Sequence, residues 1–263
     1  MAHAPSFMQK TLLSLSVASL SILSTQLLAE QAPLKKAYQE PSRGFFLEHG
    51  TVAPSGKASV ELYTGSGELY SDDDRRTGGA IRLGLSNGEL ILNSGLNGYD
   101  ENEALLKWSL PRQNADGTEQ TPIQWSLLAG LGYLDIDADN NANDYKQTSL
   151  TLGIAATIKA DAGLFTVSPK LVYADIDKGT QNDDDTFLEL DLGAYVGIIE
   201  TEAGLFSVGA EALITTADNT DNTIALGTRW LYNDRINLDI VPFVFGDNDL
   251  FSIPGLVRLN IAF

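Results

Sequence analysis

The chain contains 263 residues, carries a net charge of −18 at pH 7 and has no cysteine. This charge excludes nucleic-acid binding, because phosphates attract basic surfaces and repel acidic ones. The absence of cysteine excludes disulfides, thiolate metal sites and a cysteine nucleophile.

The first 29 residues predict a secretory signal peptide. Lys10 precedes the apolar run TLLSLSVASLSILSTQLLA, which ends at Ala29 with no acidic residue before Glu30. A basic region, an apolar region and a small residue in this order are typical of cleaved signals and disfavour a buried core helix. Because Met8 restarts the pattern in MQKTLL, residues 1–7 are expected to lie upstream of the true start.

Residues 30–56 predict a periplasmic lead-in before the first confident strand. This segment contains two lysines and three prolines and lacks a sustained alternating pattern. It is expected to be loose or to enter the interior in part. The stretch GFFLEHG at 44–50 is alternatively an additional strand.

Residues 57–263 alternate between apolar and polar side chains, which indicates β-strands. In TSLTLGIAATI, for example, Leu150, Leu152 and Ile154 share one face. No apolar run of about 18 residues is present here, so a membrane crossing would have to use strands. Local bulges or strand ends are expected at Pro169 and Pro242, because proline has no backbone N–H to donate to the neighbouring strand. The predicted strands are 57–65, 79–86, 88–95, 103–110, 122–135, 147–159, 162–176, 186–199, 203–216, 222–232, 235–246 and 255–263.

The connections between these strands fall into two alternating classes. One class is mostly tight, as in SNG at 86–88 and ADAG at 160–163, with 111–121 as its one long member. The other class is longer and acidic, as in DADNNANDY and DKGTQNDDDT. Short turns at one rim and longer loops at the other are typical of an outer-membrane barrel.

The last nine residues, GLVRLNIAF, alternate between apolar side chains and polar or small ones. The apolar residues are Val257, Leu259, Ile261 and Phe263. A terminal aromatic residue after such an alternating segment resembles the C-terminal assembly signal of Gram-negative outer-membrane β-barrel proteins. The resemblance implies an all-β fold, a transmembrane antiparallel up-and-down β-barrel of about twelve strands, in the cell outer membrane. It also implies contacts with outer-membrane lipid, with lipopolysaccharide and with the barrel assembly machinery.

Aromatic residues cluster near the strand ends that adjoin the short turns. Such a girdle is typical of the membrane interface, although aromatic residues near strand ends also occur in soluble cores. The girdle residues are Trp108, Trp125, Phe165, Phe206, Trp230, Tyr232 and Phe263.

The strand phase predicts that eleven charged side chains face inward. A basic side chain facing lipid in mid-strand would cost roughly 2–4 kcal/mol, so the apolar face should face outward instead. These pore-lining candidates are Glu61, Arg82, Glu89, Lys107, Lys170, Glu189, Asp191, Glu211, Arg229, Asp239 and Arg258.

The expected function is a porin-like channel for passive passage of small polar solutes. The first alternative is a non-conducting structural or surface-interaction barrel whose acidic loops face outward. A soluble secreted β-sandwich that binds a ligand is the second, because an alternating pattern fits either environment. Pore opening and oligomeric state stay undecided at this level.

No catalytic residue, cofactor or metal is expected. His49 precedes the first confident strand, so a histidine-based triad at the strand ends has no candidate. The stretch DIDADNNANDY begins like a calcium loop at Asp135, but it lacks the glycine at the sixth position, and Lys146 replaces the final glutamate. The acidic loops therefore predict solvated surface, with weak divalent bridging of Asp72–Asp74 and Asp183–Asp185 to surface phosphates as the alternative.

Overall fold

The computed structural model describes residues 42–65, 76–96, 100–110, 123–136, 145–160, 162–177, 182–217, 222–232, 235–246 and 255–263. The predicted signal peptide and the first part of the lead-in lie outside these residues. None of the described residues belongs to a helix with the length and apolar character of a membrane span.

Twelve strands form one closed antiparallel up-and-down barrel. The all-β fold class and the strand number are confirmed. Strand boundaries differ from the predicted ones by at most four residues, with the largest difference at the start of β8. In chain order the strands are β1 (Ala58–Gly65), β2 (Arg76–Gly84), β3 (Gly88–Gly95), β4 (Asp100–Ser109), β5 (Ile123–Ile136), β6 (Tyr145–Ala160), β7 (Gly163–Asp177), β8 (Asn182–Thr201), β9 (Gly204–Thr215), β10 (Thr223–Leu231), β11 (Ile236–Phe245) and β12 (Leu256–Ala262).

The first and last strands close the ring. β1 pairs with β12 from Ser59 opposite Ala262 to Gly65 opposite Leu256. The Phe263 N–H extends this seam by donating to the Ala58 carbonyl at 2.7 Å. Closure leaves neither strand with an unpaired edge, and exposed edges are the part of a sheet that other chains can join.

The two rims differ as the sequence predicted. Tight links join β2 to β3, β6 to β7, β8 to β9 and β10 to β11 at one rim, called here the short-turn rim. The opposite, long-loop rim carries most of the longer connections. β5–β8 are the longest strands, at 14, 16, 15 and 20 residues, so this side of the barrel is the tallest.

The two faces of the wall have opposite polarity. Outward side chains are largely apolar and exposed, for example Leu131 at 61%, Leu188 at 58% and Leu152 at 51%. Inward side chains include Lys107 and Arg229, both at 0%. The barrel thus encloses charge and exposes aliphatic surface, the reverse of an ordinary water-soluble core.

Proline affects the ladder differently at the two expected positions within the described strands. The pairing of β10 with β11 shifts by one residue between Leu226 and Thr228, opposite the segment that contains Pro242. The bulge expected there is confirmed. Pro169 pairs with Leu190 of β8 without a register shift, so the bulge expected there is wrong. On its other side the pairing with β6 is interrupted between Lys170 and Val167, where Pro169 lies. Its missing N–H is tolerated because the strand continues on both sides of it.

Candidate functional site

The interior of the barrel contains a segment of its own chain. Residues 42–50, called here the plug, precede β1 and are mostly buried. The Gly44 N–H donates to the Leu47 carbonyl at 2.8 Å, and the His49 N–H donates to the Ser42 carbonyl at 3.1 Å. Arg43 and Glu48 form an isolated antiparallel bridge. Residues 42–50 thus enter the interior, one of the alternatives expected for the lead-in, and form a small hairpin-like turn instead of an additional strand.

Glu211 of β9 holds the tip of the plug by its backbone. One carboxylate oxygen accepts a hydrogen bond from the Phe45 N–H, and the other accepts from Phe46 at 2.8 Å and Leu47 at 3.3 Å. The Tyr195 hydroxyl also accepts from the Phe45 N–H, at 3.0 Å. These hydrogen bonds to three successive N–H groups hold the turn in place.

A cation of the plug lies between two acidic residues of the wall. Arg43 Nε is 2.6 Å from Glu61 of β1, and Arg43 Nη1 is 2.8 Å from Asp239 of β11. Arg229 of β10 binds Asp239 through two nitrogens and also donates to the carbonyls of Arg43 and Gly44. This arrangement joins both sides of the closure seam to the plug.

An anion of the plug lies between two basic residues of the wall on β2 and β4. Glu48 Oε2 is 2.6 Å from Arg82 of β2 and 2.9 Å from Lys107 of β4. Burial raises the pKa of Glu48, but Arg82 and Lys107 outweigh it and hold that pKa below its usual range. Lys107 also donates to the Ser42 carbonyl, while the Ser42 hydroxyl donates to Glu89 of β3 at 2.8 Å.

Inward glycines provide the space for the apolar side chains of the plug. A Cβ at Gly193 would lie 2.7 Å from Leu47, and one at Gly209 would lie 2.9 Å from Phe45. Phe45 packs edge to face on Tyr195, with ring centroids 5.2 Å apart. Phe45 thereby completes a buried cluster; its other members are Leu164, Tyr195, Ala225, Val241, Val244 and Leu256.

The base of the plug passes very close to the wall. A Cβ at Gly50 would lie 2.1 Å from the carbonyl oxygen of Gln124, so only glycine fits there. The Gly50 N–H donates to the Thr157 hydroxyl at 2.8 Å. A turn at 54–57, in which Gly56 has φ of +73°, then leads the chain into β1.

The eleven predicted pore-lining residues occupy inward positions, and seven of them contact the plug. These seven are Glu61, Arg82, Glu89, Lys107, Glu211, Arg229 and Asp239. Lys170 pairs with Glu189 at 2.5 Å and with Asp191 at 2.6 Å, forming a separate cluster. Arg258 Nε lies 3.9 Å from Glu61, and its guanidinium lies over the Tyr63 ring.

The sequence reasoning missed the plug residues and the wall residues Tyr195 and Thr157. Its one available signal was the mixture of charge and aromatic residues in RGFFLEHG, ahead of the first strand. His49, the only histidine among the described residues, packs its ring against Tyr195 with centroids 5.4 Å apart. Across the described ranges, no group of three or more potential ligands is arranged for a metal ion.

A cavity of about 880 Å³ opens beside the plug at the short-turn rim. Its lining includes the base of the plug, the charged residues Glu61, Arg82 and Glu89, and the turn at 200–204. Water and small solutes can therefore reach the plug from this rim.

Comparison with known proteins assigns the chain to no family. No protein-family model matches it, and no curated protein matches its sequence.

Enlarging Gly209 should loosen the plug. In Gly209→Ala the new methyl group meets Tyr195 at 2.5 Å and Phe45 at 2.9 Å, and overpacking of this kind costs about 1–3 kcal/mol. Hydrogen-exchange protection of the Phe46 and Gly50 amides should fall about tenfold or more. Gly130→Ala is the matched control, because its nearest neighbour is the flexible end of Leu105. Equal loss of protection in both variants would contradict the glycine assignment.

Glu48 should stabilise the seated plug in a pH-dependent way. Its pKa is lowered in the seated state, so its contribution is complete above the ordinary carboxyl pKa and declines as the pH falls below it. At pH 7, Glu48→Gln should reduce plug protection about tenfold in hydrogen exchange corrected for intrinsic rates. The difference between this variant and the parent should shrink near pH 3.5. A difference of the same size at both pH values would argue against an ionised Glu48.

Proposed function

We propose that the protein is an outer-membrane barrel that acts as a porin-like channel for small polar solutes, with the plug as its gate. The observation that supports this function is that the basic residues of the seat, the wall residues that contact the plug, keep acidic partners within the wall itself. Arg229 pairs with Asp239 at 2.6 Å, and Arg82 pairs with Glu89 at 2.7 Å, within the wall itself. Lys107 also lies 3.6 Å from Glu89.

These wall pairs lower the cost of opening. Removing one partner of a buried ion pair costs about 3–5 kcal/mol when the other is left alone. Arg82, Lys107 and Arg229 each keep an acidic neighbour in the wall when the plug leaves. The plug itself carries Arg43 opposite Glu48, so the departing segment has both signs on adjacent positions.

The length of the tether and its position favour movement toward the short-turn rim. The plug is connected to β1 through residues 51–57, which border the 880 Å³ cavity at this rim. The turn at Gly56 can reverse the chain without displacing β1, because the Gly56 N–H already bonds to Gly84 of β2.

A barrel of twelve strands is wider than the eight-stranded barrels that side chains alone can fill.

The polarity of the wall supports placement in a membrane. Exposed aliphatic side chains cover the outside, and aromatic ones gather toward the short-turn rim. Phe206 stacks on Trp230 with centroids 5.7 Å apart, and Tyr232 packs edge to face on Trp230. Trp108 and Trp125 are each more than 40% exposed. Such residues suit the interface between lipid and water, so outer-membrane lipid and lipopolysaccharide are the proposed surroundings.

A non-conducting structural or surface-interaction barrel is the second candidate. The complete burial of Phe45 and the three backbone hydrogen bonds to Glu211 favour it, because they make the closed state tight. The two candidates differ in one property, which is whether the plug leaves the lumen on a functional timescale.

An arginine on the outer wall should destabilise the protein only if that wall contacts lipid. Leu152 of β6 is outward and half exposed, so Leu152→Arg would be nearly neutral in water. In a bilayer the same change should reduce the free energy of unfolding by roughly 2–4 kcal/mol near the midplane. The measurement is denaturant unfolding in phospholipid vesicles, with Leu152→Ala as the control for lost packing. A loss no larger than that of Leu152→Ala would argue against a membrane location.

A disulfide between the plug and the wall should hold the channel closed. A Cβ at Gly193 would lie 3.6 Å from Leu47 Cγ, which suits a bridge in the double variant Leu47→Cys/Gly193→Cys. Planar-bilayer recordings should show no conductance steps after oxidation, and steps should return after reduction. The parent chain lacks cysteine, so oxidant and reductant should leave it unchanged.

The controls separate the two candidate functions. Neither single cysteine variant should change its own conductance on oxidation or reduction. If neither the parent nor the reduced double variant conducts, the non-conducting barrel is the better description. If the oxidised double variant conducts as well as the reduced one, the plug is not the gate.

A further inference from the structure

The seat of the plug recognises features that many peptides share. Most of its contacts go to the backbone: Glu211 accepts from three successive N–H groups, and Arg229 donates to two successive carbonyls. Lys107 donates to the Ser42 carbonyl at 2.6 Å. Backbone contacts of this kind do not depend on the side chains of the bound segment.

Three side-chain positions add selectivity to these backbone contacts. Glu61 and Asp239 enclose the guanidinium of Arg43. The aromatic ring of Phe45, two residues later, lies between Tyr195 and Arg229, whose guanidinium is 5.5 Å from the ring centroid. Three residues further, Arg82 and Lys107 enclose the carboxylate of Glu48. The seat residues that provide this selectivity are Glu61, Arg82, Lys107, Tyr195, Arg229 and Asp239.

We propose that this lumen is a peptide-binding site whose resident ligand is the plug. It takes, in place of the plug, short peptides with a basic residue, an aromatic residue two positions later and a carboxylate three positions after that. The seat is preorganised by its own ion pairs, so a ligand does not have to order it. This inference rests on the proposed gating function, because a peptide can bind only while the plug is out.

Access to the seat is available from the short-turn rim. The cavity there reaches Glu61, Arg82 and Glu89, and Ser42 of the plug lines it as well. The tethered plug has an effective concentration of the order of millimolar, so an external peptide competes with it only at comparable concentrations. The peptides in the experiment are therefore used in the millimolar range.

The experiment uses the full chain with Leu47→Cys, in lipid vesicles. Leu47 is buried in the lumen, so a water-soluble maleimide reacts with the introduced thiol only when the plug is out. The probe is a synthetic 11-residue peptide, PSRGFFLEHGT, which copies residues 41–51. The control peptide, PSEGFFLRHGT, exchanges the basic and acidic residues and keeps the composition. A ligand that binds only the open state multiplies the population of that state by one plus the ratio of ligand concentration to Kd.

The copied peptide should accelerate labelling about tenfold at a concentration ten times its Kd, and the control peptide should not. Equal acceleration by both peptides, or by neither, overturns the inference. Basal labelling that no peptide changes overturns it while leaving the gate intact. If no basal labelling occurs, the gate and the inference both fail.

A second measurement does not need the cysteine variant. In planar-bilayer recordings of the parent chain, the copied peptide added at the short-turn side should block open-channel current, and the control peptide should leave it unchanged. Block by both peptides to the same extent, or by neither, overturns the inference independently of how the Leu47→Cys variant folds.

Discussion

Charges enclosed by a ring of strands must be neutralised inside the ring, because a low-dielectric interior makes an isolated charge very costly. This constraint organises the interior of the barrel. Basic residues of the wall lie beside acidic ones on neighbouring strands, as in Arg229 with Asp239 and Arg82 with Glu89. The plug enters this arrangement with one cation and one anion, so it adds no net charge at these two positions. Its location in the lumen is therefore electrostatically balanced.

Shape complementarity explains why this particular segment fits. The wall is thin where Gly193, Gly209 and Gly227 face inward, and Phe45 and Leu47 occupy the space that side chains would fill there. Tyr195 closes the apolar part of the seat with its ring and contacts the backbone of Phe45 with its hydroxyl. One side of the seat is thus apolar and the other is charged. A segment has to present both kinds of side chain in the right order to fill it.

The same features make the closed state both tight and reversible in the proposed mechanism. Polar contacts exchange protein partners for water when a segment leaves, so their net contribution is modest compared with their number. The wall keeps its own ion pairs, and the plug stays tethered a few residues from β1. Return of the plug is therefore an intramolecular step with a high effective concentration. A gate of this kind does not require the barrel itself to deform.

Local patterning determined much of the fold. The side chains of a strand alternate between its two faces, and this alternation can be read from neighbouring residues alone. The sequence therefore predicted twelve strands, their approximate bounds and the charged residues that face inward. Alternation of tight and long links likewise predicted the two rims. The alternating C-terminal segment predicted the last strand, which in the structure closes the ring by pairing with β1, as in Ser59 opposite Ala262.

Only the tertiary structure decided which charges meet and that the lumen is occupied. Arg43 and Asp239 are 196 positions apart in the chain, and no local pattern relates them. The plug has no period to detect, because its nine residues form a turn whose side chains bind mainly to the wall. Its seat exists only after twelve strands have closed in one register, which brings β1, β2, β4, β9, β10 and β11 around a common space. Contacts of this kind depend on closure, and closure is a property of the whole ring.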